Sequence, residues 1–85
     1  MDEMNRKIIK EGLAEFFGSI MIVEKRSKSL RPKGYAAATI RDVLSGRRNN
    51  EALLKLCAEV LLELKQQKAQ VNIHLDNIIN QIQSL

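Results

Sequence analysis

The chain of 85 residues has no tryptophan, one tyrosine, two phenylalanines, one proline, four glycines, one cysteine and one histidine. Each scarcity excludes something. So few turn formers cannot supply the many tight turns of a sheet sandwich or barrel, and an aliphatic, aromatic-poor core suits packed helices. The lone Cys57 forms no intramolecular disulfide and reads as a small buried hydrophobe. His74 has no second histidine or cysteine at ligand spacing, so neither a metal site nor a cofactor is expected. No Ser/His/Asp arrangement, phosphate-binding glycine loop or paired carboxylates stand out, and no enzyme is expected. The longest apolar stretch, Leu13 to Val23, is interrupted by Glu15 and is about half a membrane span. It also lacks a signal-peptide cleavage pattern, so the expected location is the cytoplasm, with no membrane partner.

What is present is hydrophobic residue in quantity, 45% of the chain, enough for one small packed domain. The expected fold is all-α: a small helical bundle with a helix-turn-helix-like element and a long C-terminal helix. Met4, Ile8, Ile9, Leu13, Phe16 and Phe17 recur at helical intervals and predict a first helix over Asp2 to Phe17. Gly18-Ser19 is a break, with Ser19 placed to cap a second helix through "IMIVEKRSK". Pro32 and Gly34 in "SLRPKG" then predict a flexible basic connector. A third helix spans Ala36 or Ala37 to Ser45, with Ile40, Val43 and Leu44 on its inner side and Gly46 as its terminator. Asn49 or Asn50 caps the last helix, which begins at Glu51.

That last segment carries a seven-residue repeat. Leu54, Leu61, Lys68, Leu75 and Ile82 form one series, and Cys57, Leu64, Val71, Ile78 and Leu85 the other, alternating by three and four as coiled-coil a and d positions do. Leu53, Leu56, Val60 and Leu62 broaden the stripe in the first half, as a core helix requires, or the whole is one amphipathic helix broken near Gln66-Gln67. The expected division is a domain at residues 1–65 and a self-association helix at 66–85. Its homodimer interface is Leu64, Lys68, Val71, Leu75, Ile78, Ile82 and Leu85.

The net charge is +4, and it is unevenly spread. Residues 24–50 carry eight cations (Lys25, Arg26, Lys28, Arg31, Lys33, Arg41, Arg47, Arg48) against Glu24 and Asp42, a local net of +6. A concentrated basic patch points to an anionic partner.

Within it, "GYAAATIRDVLSG" resembles the turn and recognition helix of phage repressor-type helix-turn-helix proteins. Gly34 matches the turn glycine, Tyr35 the apolar residue after it, Ile40, Val43 and Leu44 the buried side, and Gly46-Arg47-Arg48 the glycine-plus-basic ending. Ala36 stands where the family has a capping Ser or Thr. Pro32 requires the preceding helix to end by about Lys28 or Leu30, with a lengthened turn, or to be absent. The resemblance implies sequence-specific binding of double-stranded DNA by a small transcription regulator of bacterial or phage type, and the seven-residue repeat of the last helix adds that it acts as a homodimer.

The residues themselves suggest roles. Ala37 and Ala38 are small enough for close approach to thymine methyls, and Arg41 suits a bidentate contact to guanine. Thr39 and the helix N-terminal amides suit a phosphate. Lys33, Tyr35, Ser45, Arg47, Arg48 and Asn49 complete the expected DNA-binding set. A dimer is expected to set two recognition helices about one DNA turn apart. The alternative is a helical protein–protein interaction module, of antitoxin or phage accessory type, with a basic docking surface. RNA binding is disfavoured by the near absence of stacking aromatics, Tyr35 excepted.

Overall fold

A computed structural model describes residues 3–84; the expectations for Asp2 and Leu85 lie outside them. Among the described residues the chain is all-α, with four α-helices and no strand. They are α1 (Glu3–Ala14), α2 (Ser19–Arg26), α3 (Ala37–Ser45) and α4 (Glu51–Ser84), with a short 3₁₀ turn, Ser27–Ser29, continuing α2.

Helix α1 stops three residues earlier than its apolar spacing predicts. The Glu15 and Phe16 amides donate to the Gly12 and Leu13 carbonyls, tightening the last turn. Gly18 then takes a left-handed conformation, φ 77°. Ser19 does not cap α2. It is buried, and its hydroxyl donates to the Leu13 carbonyl at 2.6 Å, satisfying a backbone acceptor at the end of α1. Gly12 marks where α1 crosses α4: a Cβ there would lie 2.6 Å from a Leu61 methyl.

The core joins Ile9 and Leu13 of α1, Val23 of α2, Ile40, Val43 and Leu44 of α3, and Leu53, Leu54, Leu56, Cys57, Val60 and Leu61 of α4. Helix α3 packs on all three of the others. Cys57 is fully buried, and desolvation pushes its thiol up to about 11. Leu62, read from sequence as part of the broadened stripe, is exposed instead.

Helix α4 opens as expected at Asn50, whose Oδ1 accepts the Leu53 amide at 3.0 Å. It then runs unbroken for 34 residues, with no interruption at Gln66-Gln67. Buried residues end at Leu61, Leu64 packs partly against the core, and every described residue from Lys65 onward is exposed. The molecule therefore measures 56 × 29 × 16 Å, with a radius of gyration of 16.3 Å against about 12 Å for a compact chain of this length. The excess is the free part of α4, roughly 28 Å of helix. No described helix is long and apolar enough to cross a membrane.

Candidate nucleic-acid interface

The connector between α2 and α3 is tied down rather than flexible, and Ser27 is its centre. Fully buried, Ser27 donates its hydroxyl to the Glu24 carbonyl at 2.6 Å and accepts the Tyr35 amide at 2.6 Å. Gly34 sits against it at φ 68°, where a Cβ would meet the Ser27 oxygen at 2.8 Å. The Gly34 amide donates to the Arg31 carbonyl, and the Arg31 Nε donates back to the Gly34 carbonyl at 2.6 Å. The Arg31 guanidinium also lies 3.9 Å over the Tyr35 ring. Pro32 thus falls in a lengthened turn after a helix that has already ended, the first of the two possibilities its position allows.

The missing hydroxyl at Ala36 is replaced from a distance. Glu24, one helix earlier, accepts the Ala37 amide at 2.9 Å and so caps α3. Local sequence gives no sign of this, because donor and acceptor are thirteen residues apart. It also changes one expectation: the first amide of α3 already holds a carboxylate, so it is not free for a phosphate.

At its other end α3 closes on Gly46, φ 86°. The Gly46 amide donates to the Val43 carbonyl, and the Arg47 and Arg48 amides to that of Asp42. Arg6 of α1 approaches this corner, with a guanidinium nitrogen 2.9 Å from the place a Gly46 Cβ would take. Cationic charge there is favourable to the negative end of the helix dipole.

The outer face of α3 presents Ala38, Arg41 and Ser45, all exposed. Ala37 is half-buried. Thr39 is half-buried too and lies about 160° around the helix from Arg41, so the two do not share a face. Tyr35 is half-buried beneath Arg31, which makes the guanidinium the exposed group of that pair. Lys33, Arg47, Arg48 and Asn49 are exposed. The Arg47 guanidinium lies 3.8 Å from the Asp42 carboxylate, an exposed pair held loosely. Arg26 leaves the basic set, since it pairs with Glu63 and ties α2 to α4.

Cations therefore bracket α3. Lys28, Arg31 and Lys33 stand at the turn before it, Arg47 and Arg48 just after it, and Arg41 between. A groove of about 380 Å³ between α1 and α3 adds Lys10 to Arg41 and Arg47, over a floor of Leu13, Ala14, Ile20 and Leu44. Lys10 stands on α1, and only the packing of α1 on α3 brings it here. Among the described residues no cluster of three or more His, Cys, Asp or Glu side chains is arranged to hold a metal ion.

The expected intersubunit residues divide in two. Leu64 belongs to the molecule's own core, and the Lys68 ammonium lies 6.0 Å from the centre of the Phe16 ring. Val71, Leu75, Ile78 and Ile82 are exposed along one side of the free part of α4. The chain matches no family model, no curated protein and no solved structure.

Proposed function

We propose that this protein binds double-stranded DNA through α3 and acts as a small dimeric transcription regulator. The observation that supports it best is the placing of Arg41 on the free face of a short helix whose two ends are both flanked by exposed cations. A duplex laid along that face meets phosphates at both ends of the helix and base edges at its middle. Arg41 then reads sequence, while Lys10, Lys28, Lys33, Arg47 and Arg48 hold the backbone. Ala38 and Ser45 are short enough to let the helix seat in the groove.

The test is a titration with random-sequence duplex over a range of salt concentrations. Five phosphate contacts give a slope of about −4 to −5 per subunit in log affinity against log salt. Arg41→Ala should relax base preference by about 1–3 kcal/mol at one position, whereas Arg47→Ala and Arg48→Ala should weaken all duplexes alike. Unchanged duplex affinity in all three variants at low salt rules the reading out. The bare apolar side of α4 favours a second reading, a helical module that captures another protein. Loss of that capture on Ile78→Asp, with no duplex binding by the parent chain, would favour it.

A further inference from the structure

The free part of α4 is an unpartnered apolar face. Val71, Leu75, Ile78 and Ile82 keep 56%, 49%, 39% and 65% of their surface exposed. At 100° per residue they centre within about 60° of Leu54, Cys57, Leu61 and Leu64, which face the molecule's own α1 and α2. The exposed seam is thus a continuation of the face that the domain covers higher up the same unbroken helix. The lower limit of the domain on that side is the α1–α2 turn, where Phe16 lies beside Lys68 and Phe17 is fully exposed.

From this we infer that two copies of the chain pair through residues 68–84 of α4 in antiparallel orientation, resting on the dimeric reading above. A second copy is the fitting occupant because the pattern is self-complementary and carries almost no charge. Residues 66–84 contain one cation, Lys68, and one acid, Asp76; Gln67, Asn72, His74, Ile79 and Gln81 flank the seam, and exposed Ile73 lies on the opposite side. Nothing there selects a charged protein or an anionic lipid surface, whereas a/d aliphatics pack on copies of themselves.

Parallel pairing fails on space. A partner helix running alongside in register, 8–10 Å away, would at the level of residues 53–64 enter the volume that α1 and α2 fill. It would also set two Lys68 ammoniums face to face in one layer. Antiparallel pairing of residues 68–84 meets neither obstacle, because both helices then overlap only along their exposed stretches, below the two domains.

The register follows from Leu64, which is already used in its own core. With a dyad between Asp76 and Asn77, Val71 meets the second copy's Ile82 and Leu75 its Ile78, so every exposed seam residue is paired. The two Lys68 side chains then lie at opposite ends, roughly 25 Å apart.

The recognition helices are placed accordingly. Val43 of α3 and Leu54 of α4 line one cavity, so α3 sits beside Leu54. Leu54 is about 34 Å from the dyad, which sets the two α3 helices roughly 68 Å apart along the rod. That is about two turns of B-DNA, in place of the one turn expected from sequence.

Disulfide trapping tests the orientation on the full chain, since buried Cys57 stays out of the reaction. Antiparallel pairing holds the two copies of position 71 roughly 16 Å apart, beyond disulfide reach, so Val71→Cys alone should remain uncrosslinked on oxidation. The double variant Val71→Cys/Ile82→Cys should convert almost wholly to covalent dimer. Ready cross-linking of Val71→Cys alone would overturn the orientation while leaving dimerisation and DNA binding in place. A wild-type chain sedimenting as monomer at 0.5 mM, a concentration we set well above the roughly micromolar level of an ordinary weak dimer, would overturn the pairing itself. Duplex binding by that monomer would still leave the role of α3 standing.

Discussion

Removing the Ser27 hydroxyl tests how α3 is held. Ser27→Ala leaves no cavity of consequence, but it deprives the Tyr35 amide of its acceptor and releases the Glu24 carbonyl. A buried donor left unpaired costs about 1–3 kcal/mol. In a domain of this size each kcal/mol lowers Tm by about 4–8 °C. Gly34→Ala attacks the same point from the other side. An alanine at φ 68° costs about 1–2 kcal/mol, and its methyl would press on the Ser27 oxygen at 2.8 Å, adding about as much again. The two changes share that contact, so their effects should not add. The double variant loses the atom its new methyl would strike, and its destabilisation should fall about 1 kcal/mol short of the sum. Urea unfolding followed by far-UV circular dichroism, at one fixed protein concentration, measures all three variants against the parent. Full additivity, or a Ser27→Ala variant within 0.3 kcal/mol of the parent, a shift no larger than the usual scatter of additive sites, would refute the account of the turn.

Stability should fall between pH 9 and 11, because the Cys57 thiol ionises near its ordinary pKa once unfolded but only near 11 when folded. The loss is on the order of 2 kcal/mol, and Cys57→Ala should flatten it in urea midpoints taken at pH 8.5 and 10.5. Among the described residues, deleting 66–85 removes none that is buried, so the remainder should unfold within about 1 kcal/mol of the parent at matched low concentration while losing self-association by sedimentation. Gly12→Ala sets a methyl 2.6 Å from Leu61 and should destabilise by about 1–2 kcal/mol in thermal melts, despite the better helix propensity of alanine. Glu24→Gln keeps an acceptor for the Ala37 amide but removes a charge, and should tighten duplex binding at low salt while lowering Tm slightly.

The parts legible in the sequence are those whose cause is local. Ile40, Val43 and Leu44 recur at helical spacing and Gly46 follows them, so α3 and its end could be read directly. The three-four alternation from Leu54 likewise gave α4. Asn50 caps as its side chain and position suggest. What escaped depends on partners far along the chain. Glu24 reaches Ala37 over thirteen residues and Ser27 reaches Tyr35 over eight, and no local pattern announces either. Ser19 shows the converse: its hydroxyl has capping chemistry, but the Leu13 carbonyl behind it is the nearer use. Lys10 joins Arg41 and Arg47 only because α1 packs across α3. Thr39, expected at a phosphate beside the helix N-terminal amides, is half-buried and faces away from Arg41 at 100° per residue.

The same Glu24 carboxylate that anchors α3 occupies ground an incoming phosphate would want. Folding and affinity therefore pull against each other at one atom, a familiar tension in proteins that recognise anions. If the proposed DNA binding holds, a lineage under selection for tighter duplex binding is expected to discard that acid and to recruit a hydroxyl at position 36, which closes the helix without carrying charge.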